Sequence, residues 1–80
     1  MATGTIRYWA AARAAAGVAE ETYAGATLAD VLATASDRRG PQFARVLSAC
    51  SFLVQGTRAG PDTPLAEGDV IEVLPPFAGG

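Results

Sequence analysis

The stretch TLADVLATAS, Thr27 to Ser36, sets the strongest condition on how this chain folds. Leu28, Val31, Leu32 and Ala35 recur at the spacing of one helix face, Thr27 stands where a helix cap belongs, and Asp30 sits three residues later at the capping-box position. A helix with a single apolar stripe has to bury that stripe against a second layer. The flanking sequence supplies one, because the segments before and after it alternate as strands do.

TIRYW, Thr5 to Trp9, places Ile6 and Tyr8 on one side and Thr5, Arg7 and Trp9 on the other, a half-buried strand. AAARAAA has high helix propensity and meets Gly17, suited to the left-handed position after a helix end, which predicts a short helix. Glu20 to Tyr23 follows as a second strand, antiparallel to the first. After the Thr27 helix, GPQFARVL restarts helical spacing with Pro41 at the first position and Phe43, Val46 and Leu47 on one side. Ser51 to Gln55 is a continuous apolar run bounded by Gly56 and reads as a central strand. GTRAGPDTPLAEGD is rich in turn residues and leads into VIEVL, where Ile71 and Val73 face one way and Val70, Glu72 and Leu74 the other. Pro75 and Pro76 cannot donate to a ladder, so the sheet stops there. The first and last strands are apolar enough to be neighbours at the centre. The expected architecture is α+β, a ubiquitin-like β-grasp: a mixed sheet with one main helix packed across it. The expected organisation is a β-grasp domain over 1–74 and an extended tail over 75–80.

Eighty residues make one small domain. The net charge is −2 and all six basic residues are arginines scattered from Arg7 to Arg58, so no cationic stripe points to nucleic acid. The Arg38–Arg39 pair reads as a solvated helix end. There is no histidine, no lysine and one cysteine, Cys50. The usual general base near neutral pH, a Schiff-base amine and a CxxC metal or redox site are therefore all missing. Cys50 reads as a small buried hydrophobe. Arg13 interrupts the one alanine-rich run that imitates a signal peptide, and no run reaches the roughly 20 apolar residues of a membrane span. A cytoplasmic protein with no membrane partner is expected.

The remaining feature is the end, PPFAGG. Six residues from Pro75 reach about 20 Å when extended. Without side chains, Gly79 and Gly80 fit a cleft that a Cβ would obstruct. The Gly80 α-carboxylate is a poor electrophile while ionised. An ATP-using partner that adenylates it would supply a leaving group, after which a sulfur donor would convert it to a thiocarboxylate. Such a carrier needs no acid, base or metal of its own.

DTPLAEGDVIEVLPPFAGG, Asp62 to Gly80, resembles the C-terminal signature of the small subunit of molybdopterin synthase, and RYWAAARAAAG is similar to that family's opening strand. The resemblance implies that Gly80 is adenylated by an activating enzyme of the ubiquitin-activating type and then thiocarboxylated, with Gly79 accompanying it. It implies a large synthase subunit that binds the tail, and cyclic pyranopterin monophosphate as sulfur acceptor. It implies no bound cofactor, ATP being used by the activating enzyme. Leu74, Pro75, Pro76 and Phe77 fall at partner-contact positions, Leu74 being equally well read as sheet packing. Arg58 stands where an apolar interface residue is common, Val54-Gln55 replaces the family's Val-Asn, and Arg13 matches a family arginine. Carriers for thiamine or cysteine synthesis, and ubiquitin-like modifiers conjugated through their last glycine, share the Gly-Gly end.

Overall fold

A computed structural model describes residues 1–76 of the chain. Its elements are β1 (Ala2–Tyr8), α1 (Ala10–Ala16), β2 (Glu20–Gly25), α2 (Leu28–Arg39), α3 (Pro41–Ser48), β3 (Ser51–Val54), β4 (Thr57–Arg58) and β5 (Val70–Leu74). The five strands form one mixed sheet in the order β2-β1-β5-β3-β4. β1 and β5 run parallel at its centre, Ile6 beside Ile71 and Tyr8 beside Val73, and the other pairings are antiparallel.

Alternation decides which face is covered. Ile6, Tyr8, Tyr23, Ile71 and Val73 are buried beneath the helices, where they meet Leu28, Val31 and Ala35 of α2 and Phe43 and Leu47 of α3. Each large apolar side chain so buried stabilises the fold by about 1.5–3 kcal/mol. Tyr8 and Phe43 meet edge to face, with ring centroids 5.7 Å apart and planes at 81°. Among the described residues no helix covers the opposite face, which carries Thr5, Arg7, Glu72, Leu53 and Leu74.

Local signals account for the helix ends. Asp30 N–H donates to Thr27 Oγ1 and Thr27 N–H to an Asp30 carboxylate oxygen, each at 3.3 Å, which is the capping box. Gly17 closes α1 in the left-handed region at φ 80°, and Pro41 opens α3. Cys50 packs on the core edge, its thiol donating to Val46 O at 3.2 Å, and burial pushes its pKa up, as suits a structural thiol.

Three expectations are corrected. β1 begins at Ala2 rather than Thr5, and Trp9 lies beyond its end, although Trp9 N–H still donates to Val73 O at 3.1 Å. The apolar run ends as a strand at Val54, because Gln55 and Gly56 both take positive φ, 50° and 77°, and turn the chain into β4, which turn-like composition concealed. Arg39 is not a solvated helix end. Its guanidinium meets Glu21 at 2.7 Å, donates to Ala16 O at the end of α1, and lies 5.8 and 5.6 Å from the Tyr8 and Phe43 ring centroids. Burial alone would raise the Glu21 pKa, but hydrogen bonds from Arg39 and Tyr8 and the arginine charges outweigh it and hold the carboxyl below its ordinary value. Tyr8 is pushed up in turn, by burial and by donating to Glu21 at 2.7 Å.

Candidate functional site

β5 is the central strand and also the one that leads to the tail. It ends at Leu74 because Pro75 has no N–H to continue the ladder. Leu74 is half-buried on the open face opposite Ser51, Pro75 is buried, and Pro76 is exposed. Leu74 is thus part of the sheet, paired across it with Ser51. Phe77, Gly79 and Gly80 lie outside the described residues.

The registers carry one row of side chains across the whole open face: Glu20, Arg7, Glu72, Leu53 and Arg58, one from each strand. Arg7 Nε meets Glu20 at 3.2 Å. This pair is exposed on both sides and adds at most about 1 kcal/mol. Trp9 Nε1 donates to Glu72 at 3.2 Å, so the indole is held over the end of β1 although it is 45% exposed. Val70 and Leu74 flank Glu72 along β5. Arg58 therefore shares a face with Leu74. The sequence reading did not single out Trp9, Leu53 and Glu72 as members of this surface. The signal was present in the alternation of VIEVL, but Leu53 and Arg58 join it only through the β5-β3-β4 pairing.

The open face mixes apolar and charged groups. An exposed indole and three aliphatic side chains surround a carboxylate already bonded to the indole, and arginines stand to either side. Among the described residues no group of three or more histidine, cysteine or acidic side chains is placed to hold a metal ion. Among them, too, no helix is long and apolar enough to cross a membrane.

Comparison with known proteins gives a family and a set of similar folds. The family model described as the ThiS family matches residues 6–80. No curated protein sequence matches the chain. Among solved structures, small archaeal modifier protein 1 from Methanosarcina acetivorans is 28% identical with a TM-score of 0.87, covering 100% of this chain and 98% of its own. A putative molybdopterin converting factor, subunit 1, from Pyrococcus furiosus is 26% identical with a TM-score of 0.84, covering 95% of this chain and 99% of its own. Small archaeal modifier protein 1 from Haloferax volcanii, 21% identical with a TM-score of 0.81 over 98% of this chain and 99% of its own, shares the fold.

Proposed function

This chain belongs to the ThiS family, a group of small ubiquitin-like β-grasp proteins, and on that premise we propose that it is a sulfur carrier, the small subunit of a molybdopterin synthase. The observation that carries the reading is that the family match runs through β5 and on to Gly80. β5 is the central strand of the sheet, and it leads directly into Pro75 and Pro76. The molybdopterin assignment rests on the Asp62–Gly80 signature and on the likeness to the Pyrococcus furiosus protein.

In this reading the Gly80 carboxylate attacks the α-phosphorus of ATP on an activating enzyme and releases pyrophosphate. A hydrosulfide ion then attacks the acyl carbon, displaces AMP and, on losing its proton, leaves a thiocarboxylate. Its sulfur passes to cyclic pyranopterin monophosphate on the large subunit, water restores the carboxylate, and two rounds complete a dithiolene. The chain contributes presentation. Gly79 and Gly80 enter a narrow cleft, while Trp9, Leu53, Leu74, Pro76 and Arg58 dock against whichever protein owns it. The reaction belongs to the cytoplasm, where ATP is available.

Intact mass after incubation with ATP, sulfide and the activating enzyme tests this. Gain of one sulfur in place of one oxygen, lost on deleting Gly80, is expected; no gain with an enzyme active on another carrier refutes it. A modifier reading is favoured by the likeness to small archaeal modifier protein 1 from Methanosarcina acetivorans. It predicts higher-mass adducts on a denaturing gel that survive thiols, each joined through Gly80 to an amine of another protein, since this chain has no lysine.

A further inference from the structure

The two edges of the sheet differ in kind. β4 offers two residues, too short to template another strand, which is a common way of protecting an edge. β2 offers six, with no proline and no lysine. Tyr8 N–H donates to Ala19 O at 2.8 Å, and this fixes the phase of the β1-β2 ladder. In that phase Glu21, Tyr23 and Gly25 bond to β1, whereas the N–H and C=O groups of Glu20, Thr22 and Ala24 point away from the sheet.

Beside this edge, between β2 and α2, lies a groove of about 300 Å³. Ile6, Tyr23, Val31 and Ala35 form its apolar floor, and Thr34 and Arg38 stand on the α2 side. Glu21 lines the same end as Arg38, but its two carboxylate oxygens already accept from Tyr8 and Arg39. Among the described residues Arg38 forms no salt bridge, and with Arg39 beside the single carboxylate of Glu21 the three groups leave that end of the groove with a net positive charge.

We propose that β2 and this groove bind an extended peptide segment of another protein by strand addition. The segment has apolar residues at alternate positions and an acidic residue at the Arg38 end. The two observations are geometrically linked. A strand bonded to the outward groups of Thr22 and Ala24, in either direction, turns every second side chain toward α2, where the groove lies. Main-chain bonds supply affinity, the apolar floor selects alternate positions, and Arg38 orients the segment. The groove is on the helix side of the sheet, so a bound segment leaves the open face and the Leu74 end of β5 uncovered. The carrier could thus be held by one protein while its tail is processed by another.

The test is an NMR titration of the intact chain with a short blocked peptide in which valine alternates with threonine and which ends in aspartates. Shifts at Thr22, Ala24, Thr34 and Arg38 are expected, together with slowed hydrogen exchange of the Thr22 and Ala24 amides. Thr22→Pro removes an outward N–H and leaves the β1-β2 bonds intact, and should weaken binding about tenfold or more. Arg38→Glu should weaken the aspartate peptide and tighten the same peptide ending in arginines. This surface charge swap keeps the test decisive should Thr22→Pro fail to fold. Shifts confined to the open face, binding indifferent to the charge swap, or concentration-dependent self-association through β2 without peptide would each overturn the proposal.

Discussion

At the scale of single residues, two positions hold neighbouring strands together by what they exclude or pair. Gly4 of β1 lies under Tyr23, whose hydroxyl donates to Asp69 O at 2.8 Å. A Cβ on Gly4 would stand 2.2 Å from that same carbonyl and 2.6 Å from the Tyr23 hydroxyl. Backbone atoms cannot yield cheaply, so Gly4→Ala is expected to lower stability by about 2–4 kcal/mol, the sum of overpacking and a lost hydrogen bond, read by urea denaturation. Glu21 is the second position. Its pKa is depressed in the folded state, so it contributes stability above the ordinary glutamate value of 4.5, and that stability is lost as pH falls through the lower folded value. Glu21→Gln should therefore flatten this part of the acid limb of the stability-pH curve, leaving the part due to Glu67, which is also lowered, chiefly by hydrogen bonds from Thr3. An unchanged acid limb would show that the carboxyl is not held by Arg39. Arg39→Met, which strands the carboxylate, should cost about 1–3 kcal/mol at neutral pH.

At the scale of elements, the first turn of α2 shows local and distant contributions side by side. The capping box is built from Thr27 and Asp30 alone, and Thr27→Ala should cost about 1 kcal/mol with no change in function, measured by thermal denaturation. The neighbouring N–H groups of Leu28 and Ala29 are satisfied differently, by Thr63 O at 3.0 Å and Pro61 O at 2.9 Å in the loop before β5. That loop is also tied by Leu65 N–H to Ala26 O at 3.0 Å. The capping motif was legible because all its atoms lie within four residues. The loop's carbonyls were not, since nothing in GPDTPL says which helix end it will meet. The same distinction explains Arg39: helical spacing locates it in the last turn of α2, but only the packing of α2 over β1 and β2 brings Glu21 and the Tyr8 ring to it. At β4, Gln55 is a non-glycine residue in the left-handed region, a conformation that its type does not announce.

At the scale of the molecule, the chain closes on itself: its first and last strands are parallel neighbours, and β5 joins the β1-β2 hairpin to the β3-β4 hairpin. Truncation before Val70 removes Ile71 and Val73 and splits the sheet, and should abolish cooperative unfolding altogether, as circular dichroism would report. Deleting Gly80 alone should leave the midpoint unchanged, which separates the tail's role from the core's. The segments that alternate or repeat with helical period were determined by the sequence itself, as were the buried faces of β1 and β5, the caps and the proline stop, because each depends on residues a few positions apart. Tertiary structure decided the rest. The Glu20-Arg7-Glu72-Leu53-Arg58 row, the anchoring of Arg39 and the exposed edge of β2 depend on strand order and register. Those are set by the joint burial of many distant side chains, and no local pattern encodes them.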